Sequence, residues 1–187
     1  EAILQHAPGR RLEAFGMPTL PAALALGCAF LSTTGVDAAW RQYTAGKPEQ
    51  LWSLGATREG SAFSARKFSK NPKGRDLAVL VSVSDDVEPV FSTYQEELPL
   101  LRAMVHVTKS SGTYPHIVES PGQATDIAHV VQVGIRDARR EYGGVGTVHV
   151  FAAVPAGLAF LMGQLLNTFS QVQIYEHVPV DGSGRYR

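Results

Sequence analysis

A chain of 187 residues, 44% hydrophobic and 18% charged, can bury one sizeable core and is too apolar to be disordered. Its 17 Lys plus Arg equal its 17 Asp plus Glu, which excludes a polyelectrolyte-type binder and confines any basic site to a local cluster. The lone cysteine, Cys28, excludes an internal disulfide and a cysteine-rich zinc site, and it fits a reducing cytoplasm.

Residues 1–16 are polar and basic around Gly9-Arg10-Arg11 and are expected to form a linker or arm, leaving 17–187 as one domain. The opening Glu1-Ala2-Ile3, without Met or signal peptide, reads as the cut end of a longer polypeptide. Thr19 as N-cap with Pro21 in the first turn predicts a helix to about Ser32, ended by Gly35. Its face is Leu24, Cys28 and Leu31, and its many Ala and Gly residues would let another element approach closely. Asp37 is expected to cap a short second helix carrying Trp40 and Tyr43. Residues 51–54 and 61–65 read as two strands around a turn at Arg58-Glu59-Gly60, followed by a basic loop from Arg66 to Arg75.

Residues 77–84 read as a strand buried within a sheet. Asp85 with Glu88 three residues on suggests a capping box, and Val87, Val90, Phe91, Tyr94 and Leu98 give the helix that follows a 3.6-residue face. Pro99 stops it before a strand at 103–108. Ser120-Pro121-Gly122-Gln123 is a helix start, and Gly143 is the matching C-cap. No Asp, Glu, Lys or Arg occurs from Tyr142 to Tyr175. Such a run suggests a membrane span, but Pro155 interrupts it and Gln164, Asn167, Gln171 and Gln173 fill its second half. A buried unit explains it better: strand Val148–Val154, helix Ala156–Phe169, strand Val172–Tyr175. The Gly-rich tail from Pro179 to Arg187 is expected to be mobile.

Four strands separated by helices predict an α/β fold, Rossmann-like, with a mostly parallel sheet flanked by helices. Such sheets bind ligands beyond the carboxyl ends of their strands. Two strand-to-helix turns would lie there: Ser82, Ser84 and Asp85 in one, and Ala153, Pro155, Ala156 and Gly157 in the other. Free amides at a helix N-terminus suit a phosphate; close helix–sheet packing is the other reading of the small residues. Neither turn is a P-loop or a GxGxxG fingerprint. Arg66, Lys67 and Lys70 could pair phosphates, and Trp52 or Phe63 could stack on a base; a solvated loop is the alternative. Arg136, Arg139 and Arg140 compensate a helix dipole.

Catalysis finds little support. His6, His106, His116, His129, His149 and His177 show no metal-ligand spacing, and no cofactor is implied. His106 and His149 read as structural histidines in apolar strands. Capping accounts for Asp85 and solvent for Asp86, and there is no nucleophile elbow or Ser-His-Asp arrangement. The chain reads as a binder and not an enzyme.

Val148–Pro155, the ALxxxLGQxLN-type helix at Leu158–Asn167 and Val172–Glu176 together resemble the signature of SAVED domains, with a weaker likeness through Asp76–Asp85. The resemblance implies a CARF-like fold and a cytoplasmic bacterial sensor of CBASS antiphage systems. Such a sensor binds a cyclic di- or trinucleotide messenger and self-associates head to tail, activating a fused effector. The length is most similar to that of HNH-nuclease–SAVED effectors, so DNA would be met only through the fused endonuclease, with no role for a membrane. The residues leave open a Rossmann-like nucleotide-processing enzyme or a ligand-independent oligomerisation module.

Overall fold

The computed structural model describes residues 11–30, 36–143, 146–169, 171–180 and 183–186. Two compact units are present, each assembled from three separate segments.

The first unit takes the described residues of Glu1–Ser61 together with Val118–His129 and Pro155–Asn167. Its sheet has the order β1-β2-β3. Strand β1 (Arg11–Ala14) runs parallel to β2 (Asp37–Gln42), which pairs antiparallel with β3 (Gln50–Ser53). Two departures from the sequence reading occur here. Residues 11–14, expected in an arm, are a strand. Residues 37–42, expected as a helix, are also a strand: Trp40 pairs with Trp52 across the ladder, and both rings are buried. The three-residue interval from Trp40 to Tyr43 imitates helical spacing, but Tyr43 lies beyond the strand and is exposed.

Helix α1 (Leu20–Ala29) begins as expected, with Thr19 Oγ1 accepting from the Ala22 amide, and ends earlier than the predicted Ser32. Gly35, expected to end it, lies outside the described residues. Two further helices lie in this unit among the described residues. They are the first part of α3 (Pro121–Tyr142; α2 lies in the other unit) and α4 (Ala156–Leu166), which is buried from Gly157 to Leu166. The start of α3 is as read from sequence: Ser120 Oγ accepts from Gln123 N, and Gln123 Oε1 accepts from Glu119 N. Helices α1 and α4 touch backbone to backbone. A Cβ on Gly163 would lie 2.1 Å from the Leu24 carbonyl oxygen, and one on Gly27 2.1 Å from that of Phe160. The small residues of α1 thus serve close approach, as their pattern suggested.

Asp126 on α3 gathers the chain end of this unit. It accepts from Ser61 N at 3.0 Å, Ser61 Oγ at 2.7 Å and Arg58 Nη2 at 2.8 Å. Burial pushes its carboxyl up, but the Ser61 and Arg58 hydrogen bonds together outweigh that and hold it below the ordinary value.

The second unit takes Ala62–Ile117, Val130–Val154 and the described residues of Thr168–Arg187. Its sheet has the order β4-β6-β5-β7-β8, from strands Phe63–Ser69, Leu101–Lys109, Asp76–Ser82, Val148–Ala153 and Val172–Tyr175 respectively. All neighbours are parallel except β4, which lies antiparallel to β6 at the edge. Helix α2 (Glu88–Tyr94) covers one face, where Phe91 and Val87 meet Leu80, Met104 and Phe151. Phe151 stacks on Tyr175 at 4.4 Å between centroids and takes the edge of Phe91 at 5.0 Å. Each such pair adds about 0.5–1.5 kcal/mol beyond area burial. The second part of α3 lies on the other face, where a Cβ on Gly134 would come within 2.8 Å of Ala65 and 3.1 Å of Val105. Gly143 closes α3 with φ of 70°, as expected.

The basic segment is corrected by this sheet. Residues 66–69 are not loop but the continuation of β4, and the two segments expected to pair around Gly60 join different sheets. The tail, expected to be mobile, forms an antiparallel hairpin of β9 (His177–Val180) and β10 (Ser183–Tyr186).

Replacing Gly163 by Ala sets a Cβ against fixed backbone, a strain of about 1–3 kcal/mol or more that exceeds the about 1 kcal/mol gained in helix propensity. The urea midpoint of Gly163→Ala is expected to fall with an unchanged slope. For Asp126 the depressed carboxyl contributes stability that is full above its unfolded value and lost as pH falls through the folded one. Asp126→Asn should therefore flatten the acid side of the stability profile between about pH 5 and about pH 2, read from urea midpoints across that range.

Candidate functional site

Strand β5 is the first parallel strand of the second unit's five-stranded sheet; β6 lies on one side of it and β7 on the other. Numbered in chain order, the parallel strands read 2-1-3-4, so the winding reverses between β5 and β7. A crevice opens beyond the carboxyl ends of two strands at such a reversal. Register places Ser82 opposite Ala153 there, and the amides of Val83 and Ser84 both donate to the Ala153 carbonyl, at 3.1 and 2.8 Å. The structure therefore brings Ser82, Ser84, Asp85 and Ala153 together, with Ser84 half-buried and Asp85 exposed.

The turn itself is not a free phosphate cradle. Helix α2 starts after Val87 and has 7 residues, and its leading amides are already engaged. Asp86 N donates to Asp85 Oδ1 at 2.8 Å, Val87 N to Ser82 Oγ at 3.2 Å, and Glu88 N to Asp86 Oδ1 at 3.1 Å. The expected capping box of Asp85 and Glu88 is absent: the N-cap residue is Val87, without a side-chain cap, and Asp86, expected to be merely solvated, accepts from the Glu88 amide. Ser82 Oγ also lies 2.8 Å from His106 Nε2 and donates to Asp86 Oδ1 at 3.1 Å. His106, read from sequence only as a structural histidine, thus has a hydrogen-bond partner in Ser82, and it further lies 3.6 Å from Glu88 and 3.9 Å from Asp86. This side-chain cluster was not read from sequence. Its one signal was a histidine within the otherwise apolar stretch Ala103–Val107 of a parallel strand.

The basic residues separate. Alternation along β4 sends Arg66 to the face of its ladder partner His106, while Lys67 points to the opposite face and pairs with Glu141 of α3 at 2.5 Å. The hydrogen bond that Lys67 Nζ donates to Glu141 holds the ammonium above its ordinary value. Lys70 lies past the far end of β4, near Leu101 at the start of β6, in a groove of about 530 Å³ shared with Asn71, Gln95 and Leu98. Because β4 is antiparallel to β6, Phe63 lies at the carboxyl edge of the parallel strands and Lys70 at the opposite one. Seven residue steps at about 3.4 Å separate them. Lys70 therefore does not converge with Asp85. Phe63 is 8% exposed, so little of its ring faces solvent.

The remaining expected residues fall in the first unit. Trp52 is 1% exposed, donates its indole N–H to Gln50 Oε1 at 3.0 Å, and would meet a Cβ on Gly157 at 2.9 Å. It floors α4 and offers no face to a base. Pro155 is the N-cap of α4 and Ala156 its first residue, while the Gly157 amide donates to Gln42 Oε1 at 3.2 Å. Close packing, the second of the two readings, describes Gly157.

At the opposite edge of the second sheet, His149 Nδ1 lies 2.8 Å from the Tyr175 hydroxyl, and its Nε2 faces Asp76 at 3.5 Å. Burial, then the Tyr94 and Asp76 charges, pushes the Tyr175 phenol up to about 12. No helix among the described residues is long and apolar enough to cross a membrane.

The sequence model of the SAVED family, described as the SMODS-associated and fused to various effectors sensor domain, matches residues 1–187. The chain belongs to the SAVED family, a family of sensor domains. No curated protein matches it. Among solved structures it is similar to the Acinetobacter baumannii Cap4 SAVED/CARF-domain containing receptor. With the cyclic trinucleotide 3'3'3'-cAAA, that receptor matches at 17% identity and a TM-score of 0.73, over 95% of this chain and 38% of the receptor. With 2'3'3'-cAAA the TM-score is 0.70, at 17% identity and the same coverage. The Moraxella osloensis Cap4 receptor matches at 16% identity and a TM-score of 0.61, over 95% of this chain and 36% of its own. The α/β, CARF-like fold with helices flanking the sheet is thereby shown, and the chain spans well under half of these receptors.

The neutral Tyr175 phenol favours the folded state fully below the ordinary pKa of 10.0, and this contribution is lost as pH rises toward about 12. An ultraviolet titration is expected to lose its component near pH 12 in Tyr175→Phe, whereas Tyr142, whose phenol is also pushed up by burial and Glu141, is untouched by that change.

Proposed function

We propose that this chain senses a cyclic oligonucleotide in bacterial CBASS defence, binding it over the carboxyl ends of β5 and β7. The observation that carries the reading is the reversal of strand order between β5 and β7, with Ser84, Asp85 and Ala153 at its mouth. Membership of a sensor-domain family supports it, as do the trinucleotides named for the Acinetobacter receptor. The ligand is a cyclic di- or trinucleotide. Arg66, on the His106 face of β4, supplies the cation for a phosphate in preference to Lys67 and Lys70, which lie elsewhere. The domain itself has no catalytic role. Ligand-driven head-to-tail association of neighbouring copies would activate a fused effector, a DNA endonuclease on this reading, in the cytoplasm. A ligand touching both neighbours stabilises such an assembly by mass action.

Thermal stability and oligomeric size are to be measured against cyclic di- and trinucleotides. One of them, at about 100 times its dissociation constant, is expected to add about 2.7 kcal/mol and enlarge the species. Arg66→Ala should weaken that ligand about tenfold without lowering the stability of the free domain. If no cyclic nucleotide shifts the melting curve, the sensor reading is lost. Self-association without nucleotide would then favour the oligomerisation module.

A further inference from the structure

The hydroxyl of Ser82 has one proton and two lone pairs. Its proton goes to Asp86 Oδ1, and one lone pair receives the Val87 amide. The 2.8 Å contact with His106 must then be a donation from Nε2–H to Ser82 Oγ. That assignment leaves Nδ1 of the neutral ring with a bare lone pair. Nδ1 faces Glu88 Oε2 at 3.6 Å, so two acceptors confront each other.

A shared proton does not suit that gap, because hydrogen bonds to nitrogen are about 2.7–3.2 Å long. A metal ion does. Two ligands at about 2.0–2.2 Å from a tetrahedral centre lie roughly 3.3–3.6 Å apart. Asp86 supplies a third donor, and one ligand atom from each of the three residues lies within 4.8 Å of the others. His106 is 7% exposed and held on its far nitrogen by an oxygen acceptor, the usual support of a metal-bound imidazole. The side chains of Asp86 and Glu88 are 49% and 53% exposed, which gives an ion a way in.

We propose that His106, Asp86 and Glu88 form a divalent transition-metal site with open coordination positions. One imidazole nitrogen with two carboxylates suits Zn²⁺, Co²⁺ or Mn²⁺ and lacks the thiolates that soft ions select. The site also removes an electrostatic conflict at the mouth of the crevice. Asp85, Asp86 and Glu88 place three carboxylates where a phosphate is expected, and an ion with open positions converts them from repulsion into an anchor. That last role rests on the sensor reading; the metal site does not, and its test uses metal alone.

The full chain, stripped with a chelator, is to be titrated with Zn²⁺ by calorimetry and with Co²⁺ by visible absorption, without nucleotide. The expected result is one equivalent of either ion. Glu88→Gln should weaken binding at least tenfold and His106→Gln more, while Glu96→Gln leaves it unchanged. His106→Gln could fail to fold because the ring is buried, but Glu88 is exposed, and its variant decides alone. Absence of stoichiometric binding, or an affinity unchanged in Glu88→Gln, overturns the site.

Discussion

Burial of β5 on both faces and both edges is the constraint that shapes the second unit. A strand with parallel neighbours on either side, α2 on one face and α3 on the other, has no room for charge beyond its first residue. Leu77–Val81 obey this completely. Ser82 is the point at which the rule ends. It is fully buried, so its hydroxyl must be satisfied internally, and the turn that follows bends back to do so through Val87, Asp86 and His106. The start of α2 and the orientation of the histidine therefore follow from one serine at a strand end.

The electrostatics of the crevice differ from those of a helix N-terminus awaiting phosphate. Amide donors that would meet an anion are consumed by Asp85, Asp86 and Ser82, and the exposed side chains left at the turn are acidic. The cation on the His106 face is Arg66 of β4, the edge strand that pairs with β6. The two readings of the small and polar turn residues thus divide by unit. Gly157 serves packing against Trp40 and Trp52, whereas Ser84 and Asp85 stand at the strand-order reversal.

What the sequence disclosed follows from how strongly each element is constrained. The parallel strands were legible because strands covered on both faces read as unbroken apolar runs, and α3 because Ser120 and Gln123 mark its start. Strand β4 was legible only as far as Ala65, since an edge strand with one half-covered face carries Arg66, Lys67 and Phe68 like a surface loop. Strand β2 failed because the interval from Trp40 to Tyr43 imitates a helical face although Tyr43 lies beyond the strand. The site was legible only in its turns. Which cations lie toward the carboxyl edge depends on the antiparallel direction of β4, a long-range fact that composition does not record. That direction puts Lys70 at the far edge and Arg66 beside His106.

The interleaving of the two units has a consequence for biosynthesis. Each is made of three segments in alternation, so the chain crosses between them five times. Helix α4, buried in the first unit against α1, is encoded by residues 156–166. A nascent chain emerging from its amino end thus exposes Trp40, Trp52 and the apolar face of α1 long before their partner exists. Neither core can close co-translationally in halves. Folding must await nearly the whole stretch, and holdase chaperones have a wide window in which to engage it.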